Sequence, residues 1–172
     1  MTPVSLAAVL FAAMLFATGC ASQGTVLNEQ QQQIPSDFSI DLKIFAPARL
    51  SALPADLRPG VFILKPGGAV YIRMGSRAID ARHPPFTGRM SPAETRLVWN
   101  LVQDSGLLSY DNPSQVSASS LVGKRFDRSV AALVVTANGT RQWFKIALDT
   151  STSDAATIRS LIAQLSRFGP RP

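Results

Sequence analysis

The sequence contains very few of the side chains from which metal and redox sites are built. Its 172 residues include one Cys and one His. A disulfide scaffold or a thiolate metal cage needs several sulfur atoms, so a single Cys excludes both. A zinc centre takes about three protein ligands, usually clustered His with carboxylate or thiolate, and one His cannot supply them. We therefore expect no bound metal and no cofactor.

Charged and aromatic residues are also scarce, at 16% and 8% of the chain. Hydrophobic residues make up 46%, and the 11 Gly and 12 Pro follow no repeat. This composition excludes collagen-like, coiled-coil and wholly disordered chains. It favours one globular domain with a tail.

The N-terminus carries an almost unbroken apolar run, VSLAAVLFAAMLFA over residues 4–17, which ends at Thr18-Gly19-Cys20. An apolar segment of this length closed by small residues is typical of a secretory signal peptide, whereas a membrane-spanning helix takes about 20 apolar residues. The four residues ATGC at 17–20 resemble the lipobox of bacterial lipoproteins. That resemblance implies that Cys20 becomes the lipidated N-terminus of the mature chain.

Lipidation of Cys20 would attach the protein to a bacterial membrane through its acyl chains. Ala21 and Ser22 follow without an Asp, which in the familiar lipoprotein-sorting systems looks like export to the outer membrane rather than retention at the inner one. Two alternatives remain open: an ordinary cleaved signal peptide, and an uncut N-terminal anchor helix.

Four segments follow from these patterns. We predict a signal peptide at 1–19, the lipidated Cys and a flexible Gln-rich tether at 20–37, one domain at 38–169 and a tail at 170–172. A flexible tether of this length typically reaches roughly 20–25 Å. The domain is thus expected to touch the membrane surface that anchors it.

Strands are indicated by strict alternation and by hairpin turns. Apolar residues alternate from Phe38 to Ile44, which predicts a half-buried strand. Residues 61–65 and 69–74 flank Pro66-Gly67-Gly68, and residues 130–136 and 141–148 flank a turn centred on Asn-Gly, a strong hairpin signal. Residues 75–89 are predicted as a loop with a short strand at 77–81, and residues 110–127 as turn-rich.

Two amphipathic helices are predicted. Ser91-Pro92-Ala93-Glu94 matches a capping box, so a helix should run from there to about Ser105. Its expected buried stripe consists of Leu97, Val98, Leu101 and Val102, with Trp99 on the flank. A second helix should begin near Ser153-Asp154 and bury Ile158, Leu161, Ile162 and Leu165. The order of elements favours an α+β fold with an antiparallel sheet of about five strands and two helices packed on one face. This outline resembles many small exported bacterial domains.

Positive charge gives the clearest indication of a partner. All 17 Lys and Arg lie after Ser36, and so do all of the 11 Asp and Glu except Glu29. The predicted domain therefore carries an excess of positive charge. Such a domain favours anionic neighbours: lipid headgroups, an anionic envelope polymer or an acidic protein. Nucleic acid is not expected, since export separates the protein from it. The candidate binding residues are Arg141, Trp143, Lys145, Arg73, Arg77 and Arg82.

An enzyme is the alternative from another class. His83 with Asp80 or Asp127 would be the catalytic candidates of a small hydrolase acting on envelope polymers. However, the chain has no Gly-x-Ser-x-Gly elbow to present a nucleophile. A third hypothesis is an inhibitor of a secreted enzyme that presents a protruding loop at 78–88. The lead hypothesis is a non-enzymatic, lipid-anchored envelope domain with a basic binding surface.

Overall fold

A computed structural model describes residues 33–47, 54, 57–75, 77–79, 83–109, 111–117 and 127–169. The described residues belong almost entirely to one compact unit, Ile34–Pro172. Cys20, the predicted signal peptide and most of the predicted tether lie outside them.

Seven strands of the described residues form one antiparallel sheet. In chain order they are β1 (Ser39–Phe45), β2 (Gly60–Leu64), β3 (Ala69–Met74), β4 (Phe86–Arg89), β5 (Gln115–Val116), β6 (Val130–Ala137) and β7 (Thr140–Ala147). In space their order is β4-β3-β2-β1-β6-β7-β5. The hairpin β2–β3 therefore pairs with one edge of β1, and the hairpin β6–β7 pairs with the other edge.

Two helices accompany this sheet, α1 (Pro92–Asp104) and α2 (Ser153–Ser166). Their buried side chains join one hydrophobic cluster with the inward residues of the strands, among them Leu42, Phe62, Ile72, Leu133 and Phe144. Both helices thus cover the same face of the sheet. The predicted α+β class and antiparallel sheet are confirmed, but the expected number of about five strands is wrong.

The two additional strands carry little signal of their own. β4 has four residues and contains a Gly, and β5 has two residues. Each is a strand because a longer neighbour pairs with it: β4 with β3, and β5 with β7. The segment predicted as a loop at 75–89 therefore ends in a strand, and residues 77–79 form a turn rather than part of a strand.

Most of the local predictions hold. Phe38, Ile40, Leu42 and Ile44 are all buried. Ser91 Oγ accepts a hydrogen bond from the Glu94 amide while Glu94 Oε2 accepts one from the Ser91 amide, which is the capping box predicted for α1.

The buried stripe of α1 differs from the prediction by a rotation of the helix. Trp99 is 3% exposed, whereas Leu97 is 54% exposed. The Trp99 ring packs edge-on against Phe38, with the ring centroids 4.9 Å apart. Burying the larger ring removes more apolar surface from water, so the helix turns Trp99 inward and leaves Leu97 outside.

Candidate binding surface

The side of the sheet opposite the helices forms a second surface, which we call the open face. Its positions alternate with the core residues along each strand. None of its side chains belongs to the hydrophobic cluster that contains the buried residues of α1 and α2, although Val61, Val130 and Ala132 on this face are also buried. The strand register determines which of these side chains are neighbours.

A central row crosses the open face from β4 to β7. Tyr71 pairs with Phe86 and Ile63, Asp41 pairs with Ile63 and Val134, and Val134 pairs with Trp143. The row therefore reads Phe86, Tyr71, Ile63, Asp41, Val134 and Trp143, and we call it the aromatic row. The Tyr71 and Phe86 rings meet edge to face with centroids 5.6 Å apart.

Two rows rich in cations flank the aromatic row. On one side Val61 pairs with Arg73 and Lys43, and Ala132 pairs with Lys43 and Lys145, which aligns Arg73, Lys43 and Lys145. On the other side Thr136 pairs with Ser39 and Arg141. Lys65 and Arg89 extend that second row, since Lys65 follows β2 in extended backbone and Arg89 pairs with Ala69.

Neighbouring cations within a row stand mostly on alternate strands. Strands are about 4.8 Å apart, so these cations are about 10 Å from one another. Each cation row lies two residues along the strand from the aromatic row, or about 7 Å. The open face thus presents separated positive charges on both sides of a row that has aromatic side chains near each end.

Trp143 is half-buried on β7, between two basic side chains. The guanidinium carbon of Arg141 lies 5.4 Å from the centroid of the Trp143 ring, which is a cation–π contact. Lys145 follows on the same face, as the alternation of this strand predicts. The structure also brings Arg73 to this face, in the row that contains Lys145.

Asp41 is the one carboxylate among the described residues of the open face. Its Oδ1 atom is enclosed and has no hydrogen-bond donor within the described part of the chain. Buried polar atoms are normally hydrogen-bonded, and an unpaired one costs free energy. Among the described residues, the Oδ1 atom of Asp41 is therefore an unsatisfied acceptor, and it is enclosed rather than open to solvent.

Arg77 and Arg82 are the two remaining residues of the predicted binding set. Arg77 is exposed in the turn after β3, and Arg82 lies outside the described residues. Lys43 and Lys65 were not predicted as binding residues. Their spacing along the chain gives no sign of proximity, which only the strand order creates.

The candidate catalytic residues are not brought together in the described structure. His83 is exposed, and Asp80 lies outside the described residues. Asp127 has a side chain 94% exposed, 3.9 Å from Arg128. No hydrogen bond or ion pair joins His83 to Asp127 among the described residues.

Both ends of the segment predicted as a protruding loop, 78–88, are part of the folded domain. Ala78 is 1% exposed, and residues 86–88 are part of β4. These end residues therefore do not form the protruding loop that the inhibitor hypothesis predicts.

A carboxylate joins the start of the domain to the second hairpin. Asp37 Oδ1 accepts a hydrogen bond of 2.8 Å from the Asn138 amide, and its Oδ2 accepts one of 2.7 Å from the Gly139 amide. These two turn residues have positive φ angles of 53° and 72°, which directs both amides toward Asp37. The hydrogen bond from Gly139 is the main cause that lowers the pKa of Asp37, partly opposed by desolvation and reinforced by the Asn138 amide.

This geometry predicts a pH-dependent stability. Because the pKa of Asp37 is lower in the folded chain, the carboxylate stabilises the fold fully above its ordinary value of 3.8. That contribution is lost as the pH falls below 3.8 through the lower folded pKa. An Asp37→Asn variant keeps one acceptor and no charge, so we expect it to unfold at a lower temperature than the natural chain at neutral pH.

Thermal unfolding followed by circular dichroism from neutral to strongly acidic pH measures this difference. The gap between the two proteins should close in acid. Asp111→Asn is the control, because Asp111 is exposed in a turn. A gap that stays constant with pH, or one equally large for Asp111→Asn, would contradict the role of Asp37.

No protein-family model and no curated protein matches the chain. A search of the described residues found no helix long and apolar enough to span a membrane. In the same residues, no three His, Cys, Asp or Glu side chains are grouped in a way that would hold a metal ion.

Proposed function

We propose that the protein is a non-enzymatic, lipid-anchored domain of the bacterial cell envelope that binds an anionic component through its open face. The supporting observation is the strand arrangement, which aligns cations from β3, β1 and β7 in one row and from β4, the residue after β2, and β7 in another. Asp41 is the one opposing charge among the described residues of that face. Attachment through Cys20 rests on the lipobox resemblance.

The anchor and the surface act together in this proposal. A tether with a reach of roughly 20–25 Å confines the domain to a thin layer at the membrane. Confinement raises the effective concentration of the open face near anionic groups in that layer. Contacts that are individually weak are then enough for binding. The positive charge of the face also speeds encounter with anions, an effect that salt screens.

Charge reversal on β7 tests this surface. The probe is long-chain polyphosphate, added to the full chain in neutral detergent and followed by titration calorimetry. We expect Arg141→Glu combined with Lys145→Glu to weaken binding by about tenfold or more, because each change removes an attraction and adds a repulsion. Raising the salt concentration should weaken binding by the natural chain.

A matched control changes the same net charge elsewhere. Arg96 lies on α1 and Arg167 caps α2, and both are exposed. Arg96→Glu combined with Arg167→Glu should bind polyphosphate nearly as the natural chain does. Equal loss in both double variants would mean that net charge, rather than the open face, attracts the anion, and would overturn the proposed surface.

A further inference from the structure

We infer that the anionic component bound by the open face is an acidic glycan, a chain of sugar rings that carries hydroxyl groups and spaced anionic substituents. This inference rests on the proposed function and names its ligand class. Three features of the open face support it: the aromatic row, Asp41 and the spacing of the cations.

The aromatic row needs a ligand with apolar surface. Tyr71 and Phe86 stand near one end and Trp143 near the other, and Tyr71 and Trp143 are four strand spacings or about 20 Å apart. Aromatic rings at a binding surface gain free energy by burying apolar area. Phosphate or polyphosphate offers no apolar area, whereas the C–H face of a sugar ring does.

Asp41 opposes a ligand that offers only negative charge. A carboxylate in the middle of the face repels such a ligand. Asp41 therefore favours a ligand whose charges are separated by neutral groups.

The cation spacing and the shape of the sheet favour a flexible chain over a flat membrane. Cations about 10 Å apart suit anionic substituents that are separated by uncharged rings. Adjacent strands are rotated by roughly 20–25°, so from β3 to β7 the face turns through about 80–100°. A planar headgroup layer meets only part of such a surface, while a flexible glycan follows it.

Paired probes separate ring contacts from charge contacts. The full chain in neutral detergent is titrated with dextran sulfate, uncharged dextran and long-chain polyphosphate, and micelles doped with an anionic phospholipid are tested as competitors. We expect dextran sulfate to bind about tenfold more tightly per charge than polyphosphate. Dextran and the doped micelles should have little effect.

Variants of the aromatic row give the sharper result. Trp143→Ala combined with Tyr71→Ala should weaken dextran sulfate binding by about tenfold and leave polyphosphate binding almost unchanged. Asp41→Asn should strengthen polyphosphate binding more than dextran sulfate binding, since it removes a charge that repels the densely charged probe. Leu97→Ala, an exposed apolar residue of α1, is the control that should change neither. Unchanged thermal midpoints show that each variant is folded.

Different results would overturn different claims. If polyphosphate binds as tightly as dextran sulfate and the aromatic variants affect neither, the glycan inference fails while the anionic surface stands. If doped micelles displace dextran sulfate completely, the ligand is the headgroup layer and the inference also fails. If no anionic probe binds, the proposed function fails as well.

Discussion

Replacing Cys20 by Ser is expected to abolish the attachment of fatty acids to the protein in its bacterial host. Acyl chains contribute about 0.8 kcal/mol for each buried methylene, so several chains raise the affinity of a protein for the membrane by orders of magnitude. Ser offers no thiol for the diacylglycerol thioether. The natural chain should therefore begin at Cys20 and carry fatty acids, whereas the Cys20→Ser variant should keep its signal peptide and carry none.

Intact-mass analysis of both proteins distinguishes the alternatives at the N-terminus. A lipoprotein begins at Cys20 and carries fatty acids, and its Cys20→Ser variant carries none. An ordinary cleaved signal peptide gives soluble natural protein without fatty acid and the same result for the variant. An uncut anchor gives Met1 in both proteins and membrane association in both, which would contradict lipidation.

Gly68→Ala is expected to destabilise the domain by about 2–5 kcal/mol. Gly68 has a φ of +85°, a conformation that costs a residue with a Cβ about 1–2 kcal/mol. A Cβ at this position would also lie 2.6 Å from the Met90 carbonyl oxygen. That contact forces the backbone to shift, and overpacking of this kind costs about 1–3 kcal/mol.

Gly68 also links the β2–β3 turn to the start of α1, so a shift of its backbone affects both. Its carbonyl accepts a 2.8 Å hydrogen bond from the Met90 amide, which ties the β2–β3 turn to the residue before the capping box of α1. A shift there also disturbs the pairing of Ala69 with Arg89 on the open face. Urea unfolding should show a lower midpoint with an unchanged slope.

Gly106→Ala isolates the conformational part of this cost. Gly106 follows α1 with a φ of +72°, and a Cβ there would meet no atom within 4 Å. We expect Gly106→Ala to cost about 1–2 kcal/mol from φ alone. If Gly68→Ala costs no more than Gly106→Ala, the close approach to Met90 is not a determinant of stability.

How much of the candidate site the sequence reveals differs from residue to residue. Alternation alone places Arg141, Trp143 and Lys145 on one face of β7, because the side-chain period of a strand is two. The same alternation places Lys43 and Asp41 on the polar side of β1. Their position between the two hairpins does not follow from it, because the approach of β6 to β1 is set by packing across about 90 residues of chain.

Local patterns were sufficient for the elements that carry their own signal. The alternation of β1, the Asn-Gly turn, the capping box of α1 and the apolar spacing of α2 all predicted the observed elements, since each depends on neighbours within a few residues. The lipobox resemblance is likewise a property of the sequence alone.

The tertiary structure decided what local patterns do not contain. β4 and β5 exist because β3 and β7 offer them unpaired edges, and α1 buries Trp99 rather than Leu97 because the core has room for the larger ring. The open face has the same origin: strand order and register bring Phe86, Tyr71, Asp41 and Trp143 into one row. Pairing between distant strands, rather than any local motif, therefore created the candidate binding surface.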